Sequence, residues 1–238
     1  LIMPSKEEIR MKIWRYLEEN ELALPPRPCY RRIPNFVGSR YAASRLARTE
    51  AFREAEVVYV TQDPPLTHVQ EEVLRGGKIL VTSSYKLQRG FIVVEPGKLS
   101  LKGLRPGVLR RLLYRYGARV ETPELEIDLY VIGSVAVALD GARLGKGGGL
   151  ADLEYGILRE LNAVDEETPV ATVVHESQIV DEIPMEIHDV PVDIVATPVR
   201  VLKVDRRYKK PPGVIWDLVS MEVVSEIPML RKLSGFFS

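Results

Sequence analysis

The sequence contains one cysteine, Cys29, in 238 residues. No intrachain disulfide can form, which fits a reducing compartment. Histidine is almost as scarce. His68, His175 and His188 are scattered, with no zinc-type spacing among them. There is no excess of either charge: 33 Lys and Arg stand against 33 Asp and Glu. Binding to DNA or to a membrane over the whole surface is therefore disfavoured, because phosphate neutralisation supplies such affinity; a local basic patch is still compatible. The longest apolar stretch, Leu129 to Leu139, falls short of the roughly 20 residues that span a bilayer. Acids in Ser5-Lys6-Glu7-Glu8 stand where a targeting peptide avoids them. The expectation is a cytoplasmic protein with no membrane partner. Cys29 lies in a Pro/Arg loop with no obvious base beside it and reads as a bland thiol.

At 45% hydrophobic and 28% charged residues, the composition is that of an ordinary globular chain, long enough to enclose a core without metal or disulfide staples. There is no internal repeat. Hydrophobic periodicity switches between helical stripes and short continuous runs. Ser5–Glu19 reads as a helix with a Ser5/Glu8 capping box and an Ile9, Ile13, Leu17 stripe. Further helices are predicted over Ser39–Glu54, Thr67–Arg75, Pro106–Tyr116, the stretch after Gly149, and Ser220–Leu233. Strands are predicted at Val57–Val60, Ile79–Val81, Phe91–Val94, Leu129–Ile132, Val170–Val174 and within Asp193–Val204. Strand-helix alternation of this kind, with strands lacking polar alternation, predicts an α/β fold: a mainly parallel sheet covered by helices on both faces. Residues 1–204 form the expected α/β unit. A break in composition at Asp205–Gly213, rich in Arg, Lys and Pro, opens a tail (205–238) whose last helix packs back on it.

The strongest local signal is Asp140-Gly141-Ala142-Arg143-Leu144-Gly145-Lys146-Gly147-Gly148-Gly149. It follows a buried strand and precedes an amphipathic helix, the place where open α/β sheets bind ligands. Glycines let backbone N–H groups converge on an anion and the helix adds its positive end, while Arg143 and Lys146 supply full charges. The alternative is a flexible surface loop. Lys146 is followed by Gly rather than Ser or Thr, so this is not a Walker A loop, and the dinucleotide fingerprint does not match either. Lys6 and Arg10 share one helix face and read as surface charges or anion ligands. Asp152, in the first turn after the loop, is a helix cap or a Mg²⁺ ligand. Asp193 opens a buried strand, where an acid needs a partner or a metal. His175-Glu176-Ser177-Gln178 leaves a strand end but fixes no chemistry. Arg110, Arg111 and Arg115, with Tyr114 and Tyr116 interleaved, form a solvated basic face or a contact for nucleic acid.

Gly141–Gly149 followed by Asp152 resembles the signature loop of 5-formyltetrahydrofolate cyclo-ligases (methenyltetrahydrofolate synthetases). Lys6-x-x-x-Arg10, Gln178, His188-Asp189 and Val192-Asp193 match the same family. A domain-containing subgroup is closer still, through Ile33-Pro34-Asn35-Phe36, Gly133–Val137, Ala151–Tyr155 and the Pro-rich tail. The resemblance implies a three-layer fold related to the ribose-phosphate isomerase and CoA-transferase group. It also implies a reaction of 5-formyltetrahydrofolate with MgATP: the formyl oxygen takes the γ-phosphoryl group, and N10 then displaces phosphate to close the 5,10-methenyl ring. By resemblance, Arg143 and Lys146 are the catalytic cations. Lys6, Arg10, Gly145, Gly147, Gly148 and Gly149 hold the phosphates of ATP, and Asp152 and Asp193 hold Mg²⁺. The implied partners are ATP and a folate-like small molecule, for a monomer or homodimer. Three positions depart from the pattern. Leu150 and Ala151 replace two tyrosines, one of them a folate contact, and Pro64 stands where a pterin-binding glutamate is usual; Glu154 and Glu176 are the candidates to replace it. The alternative is a non-catalytic relative that keeps the phosphate loop and binds nucleotide or RNA, using the basic segments Arg105–Arg119 and Arg206–Lys210.

Overall fold

The computed structural model describes residues 3–102 and 107–235; Arg105 and the expected helix start at Pro106 lie outside the described residues. Helix α1 (Lys6–Glu19) begins at the expected reciprocal cap: the Ser5 hydroxyl accepts from the Glu8 amide at 3.2 Å and the Glu8 carboxylate from the Ser5 amide at 2.7 Å. A short ladder, β1 (Ala23–Leu24) with β2 (Asn35–Phe36), closes the Pro/Arg arm. The single helix expected over Ser39–Glu54 is two, α2 (Ser39–Leu46) and α3 (Glu50–Glu54). Thr49 separates them: its hydroxyl donates to the Leu46 carbonyl at 2.7 Å and accepts from the Phe52 amide at 3.3 Å, a local bond that competes with helix continuation.

The chain then runs through β3 (Val57–Val60), α4 (Thr67–Arg75), β4 (Ile79–Ser83), β5 (Phe91–Val94), α5 (Leu109–Tyr116) and β6 (Ala118–Val120). It continues with β7 (Leu129–Val131), β8 (Ala136–Ala138), β9 (Arg143–Leu144), α6 (Leu150–Glu160), β10 (Val170–Val173), β11 (Ile179–Val180), β12 (Ile194–Ala196) and β13 (Val201–Lys203). The order in the main sheet is β13-β12-β10-β7-β3-β4-β5-β6. The five strands from β12 to β4 are parallel; β13 on one side, and β5 followed by the edge strand β6 on the other, are added by antiparallel pairing.

Alternation along each strand divides the core in two. Val58, Val60, Leu129 and Val131 face α2, α4 and α5, through Ala43, Leu46, Val69, Val73 and Leu113. Val57, Tyr59 and Tyr130 face α6 and the tail helices. This is the three-layer α/β arrangement, with neither sheet face left wet. Beyond the expected strands there is a second sheet, β11-β8-β9, which packs with α1 around Ile9, Trp14, Leu17 and Cys29.

The tail crosses the far end of α6. A Cβ on Gly156 would lie 2.9 Å from the Gly213 carbonyl, so only glycine permits this approach. The terminal helix expected over Ser220–Leu233 is α7 (Met221–Glu226) and α8 (Pro228–Ser234). Pro228 lacks the N–H that a continuous helix needs and starts α8 instead.

Candidate active site

Strand β9 delivers the chain into the glycine loop, and the loop leads into α6. Gly147, Gly148 and Gly149 have φ of +101°, +81° and +66°, a run of left-handed conformations that side chains resist. Beneath the loop lies Arg143, whose side chain is 1% exposed. Its Nε donates to the Gly133 carbonyl at 3.0 Å and its Nη1 to Asp152 Oδ1 at 2.9 Å. Its Nη2 is buried with no partner among the described residues, close under Gly145, where a Cβ would meet it at 3.1 Å.

Arg10 reaches across from α1 and donates from Nε to the Gly145 carbonyl at 2.8 Å. Lys146 projects from the loop, exposed, at the edge of a cavity of about 890 Å³. Lys6 stands on the same side of α1, with Nζ 2.6 Å from both Glu186 and Asp189. Partial burial would lower its ammonium, but the hydrogen bonds to Asp189 and Glu186 outweigh this and hold it above its ordinary value. The structure therefore brings Lys6, Arg10, Arg143, Lys146 and Asp152 around one loop. Asp152 does not cap its own helix: Oδ1 accepts from Arg143 and from the Val190 amide at 2.9 Å.

Asp193 is engaged elsewhere. It stands at the N-terminal edge of the parallel sheet, where its carboxylate accepts from the Val170 amide and pairs with Arg206 and Lys210, each at 2.9 Å. These tail cations meet the need for a partner that its burial creates, and none of its partners is shared with Asp152. Asp189 does lie beside the loop, adjoining the Val190 amide that Asp152 holds. With Glu186 and His188 it forms the group of potential metal ligands found among the described residues, within 4.8 Å of one another. Only the His188-Asp189 match in the resemblance signalled it; spacing alone did not.

The cavity lies at the C-terminal ends of β3 and β4, lined there by Asp63 and Ser83 and on the α6 side by Leu150, Ala151 and Glu154. Glu154 is buried and accepts from the Tyr59 hydroxyl at 2.9 Å and the Ser83 hydroxyl at 3.0 Å. Burial pushes its carboxyl up to about 7, against the pull of the two hydroxyls. Glu176 lies elsewhere, paired with Arg200 at 3.0 Å and accepting from Thr197, and Gln178 is buried with its amide on the Ser134 and Val135 carbonyls. Of the basic segments, Arg110 lines the cavity, whereas Arg206 and Lys210 are engaged in ion pairs.

Cys29 is buried with Sγ on the Trp14 carbonyl at 3.7 Å; burial, with Glu18 alongside, pushes its thiol up to about 12. The thiolate is the reactive species. Native protein at pH 8 should therefore resist iodoacetamide for hours and be alkylated promptly in denaturant, as read by intact mass. Prompt native alkylation would contradict this environment.

The model of the 5-formyltetrahydrofolate cyclo-ligase family matches residues 2–198. Over 238 residues the chain is 39% identical to the methenyltetrahydrofolate synthase domain-containing protein of Bos taurus, covering 96% of this chain and 62% of that protein. The Homo sapiens protein of the same name is also 39% identical, over 239 residues, covering 96% and 61%. The chain thus spans about three fifths of the length of these curated relatives. Among solved structures, it is similar to the 5,10-methenyltetrahydrofolate synthetase of Aquifex aeolicus, with a TM-score of 0.53 and 23% identity over 85% of this chain and 94% of that one. That likeness is one of fold.

Proposed function

The chain belongs to the 5-formyltetrahydrofolate cyclo-ligase family, and from this we propose that it is an ATP- and Mg²⁺-dependent ligase that closes a 5-formyl folate to its 5,10-methenyl form. The observation that carries the reading is the buried, partnerless Nη2 of Arg143 beneath a left-handed glycine loop, beside a cavity large enough for a second substrate. A buried guanidinium N–H without an acceptor is costly, and a phosphate oxygen at the loop supplies one.

Phosphoryl transfer asks a protein for position and charge neutralisation more than for covalent chemistry. Here the N–H groups of Gly145–Gly149 cradle phosphate oxygens, Arg143 and Arg10 fix the loop and its charge from below and beside, and Lys146 stands between loop and cavity to neutralise the group in transit. Asp152 and Asp189 offer the hard oxygen ligands that suit Mg²⁺, which would offset phosphate charge when bound. Lys6, held by Asp189 and Glu186, orients those acids one turn before Arg10 on α1. The α/β unit carries this site, and the described part of the tail, residues 205–235, braces it from behind. No helix among the described residues is long and apolar enough to cross a membrane.

The second reading, a non-catalytic relative that binds nucleotide, is favoured by Leu150 and Ala151 on the cavity wall in place of the tyrosines. One assay separates the two. Protein incubated with 5-formyltetrahydrofolate, Mg²⁺ and ATP should generate methenyl-folate absorbance, and Lys146→Ala and Asp152→Asn should each lower the rate by about 10²–10³-fold. Unchanged rates in both variants would overturn the assigned site. ATP binding without turnover in the wild type would select the second reading.

A further inference from the structure

One face of the molecule breaks the charge balance of the chain. Residues 84–94, which turn out of β4 and form β5, and residues 107–120, which carry α5 and β6, hold six cations: Lys86, Arg89, Arg110, Arg111, Arg115 and Arg119. The same two segments hold no acid, although the whole chain has 33 residues of each sign. All six cations are exposed, and none pairs with a carboxylate among the described residues. Glu121, the first acid after β6, is taken by Lys232 at 3.4 Å.

The segments meet on one surface. Tyr85, Lys86, Arg110 and Tyr114 line the same cavity. Arg119 on β6 stands opposite Ile92 of β5, which packs in the core layer beneath α5, so Arg119 projects on the α5 side of the sheet. Arg111 and Arg115 are one turn apart on the exposed side of α5. Two open aromatic rings are set among these charges. Tyr85 and Tyr116 are 58% and 50% exposed, with Lys86 Nζ 5.6 Å from the first ring and Arg115 Cζ 5.4 Å from the second. Lys86 and Leu87 both have left-handed backbone, with φ of +50° and +57°; Leu87 enters the core while Tyr85 and Lys86 stay outside. Residues with side chains hold that conformation only where their surroundings over-determine it, and such places cluster at functional sites.

Cations alone would suit any polyanion. Open rings beside them are what stacking on unpaired bases requires. A membrane fits less well: α5 turns Leu109 and Leu113 into the core, so no apolar face is left to enter lipid. An acidic peptide would satisfy the charge and leave both rings in water. We infer that this face binds single-stranded nucleic acid, with the arginines of α5 and β6 on the phosphates and Tyr85 and Tyr116 against bases. The strand passes the cavity at Tyr85 and Arg110. The inference goes beyond the ligase reading and stands without it.

The test is fluorescence anisotropy of the full chain with labelled strands about 12 nucleotides long: oligo(U), oligo(dT) and an abasic strand that keeps the phosphates without the bases. At low salt the tighter of the two base-bearing strands should bind at least tenfold better than the abasic one, and which of them it is assigns RNA or DNA. Its affinity should fall with salt at a log–log slope of about −3 to −4, as expected for roughly four to six phosphate contacts. The double variant Arg111→Ala/Arg115→Ala should bind at least tenfold more weakly, with the slope shallower by about 1.4. Tyr116→Ala should lose at least fivefold at an unchanged slope, and Tyr116→Phe should restore the affinity. Lys12→Ala, at an exposed cation on α1, should stay within about twofold of the wild type. The wild-type comparison with the abasic strand needs no variant. No binding at low salt, equal affinity for the abasic strand, or wild-type affinity in Tyr116→Ala would overturn the inference.

Discussion

Arg143→Met is expected to cost the fold about 3–5 kcal/mol, the range seen when one partner of a buried ion pair is removed. The side chains of Arg143 and Asp152 are 1% and 11% exposed and joined at 2.9 Å. Methionine fills much of the volume but leaves the Asp152 carboxylate with only the Val190 amide of its two donors to Oδ1, and leaves the Gly133 carbonyl without the Nε bond. For a chain of this size the loss corresponds to a fall in melting temperature of roughly 6–20 °C. The loop loses its floor at the same time, so the fraction that stays folded should bind MgATP at least 100-fold more weakly. Lysine at this position is not a conservative change: its single ammonium does not reproduce the two directed bonds of the guanidinium fork, to Gly133 and to Asp152. Thermal melts and nucleotide titration of Arg143→Met and Arg143→Lys read the two effects. A variant with wild-type melting and wild-type nucleotide affinity would show that neither the pair nor the floor matters.

The second large effect is expected at the opposite edge of the sheet. Lys210 comes from the tail, yet its side chain is 1% exposed. Nζ donates to the Glu166 carbonyl at 2.8 Å and the Thr168 carbonyl at 2.6 Å, and pairs with Asp193 at 2.9 Å. Burial lowers its ammonium below the ordinary lysine value even though Asp193 pulls the other way. Lys210→Met leaves these acceptors short of a donor, at a cost of roughly 2–5 kcal/mol. The segment around residue 210 is then held by Arg206, by the Val214 amide on Glu160 at 3.1 Å and by the packing of the tail helices on the core. The expected readouts are a melting temperature lower by about 5–15 °C and cleavage within Asp205–Gly213 by a protease that spares the wild type. Lys209→Met, at an exposed neighbour, should stay within about 0.5 kcal/mol of the wild type. Equal behaviour of the two variants would contradict the buried latch.

Most of the secondary structure was legible in the sequence because its causes are local. The Ser5/Glu8 cap, the stripe on α1 and the continuous apolar runs of β3, β7 and β10 each depend on residues a few positions apart. The failures are local competitions that periodicity does not weigh. Thr49 bonds its own backbone and divides a helix, and Pro228 divides another. The stretch Leu129–Leu139 reads as one apolar run but supplies strands to two sheets, β7 and β8. Such short strands are buried throughout and carry no alternation to separate them.

The sequence by itself determined the fold class, the glycine loop with Arg143 and Lys146, and the family, because the loop must enter a helix straight from a strand and its chemistry is written in consecutive residues. Tertiary structure alone decided where these acids lie and what each is paired with. Asp189 pairs with Lys6 across 183 positions, Glu154 meets Tyr59 across 95, and Asp193 is drawn away by Arg206 and Lys210 of the tail. An acid enters a folded interior only with a donor or cation beside it. That partner is found wherever strand order and packing bring one, and neither can be read from the spacing of residues along the chain.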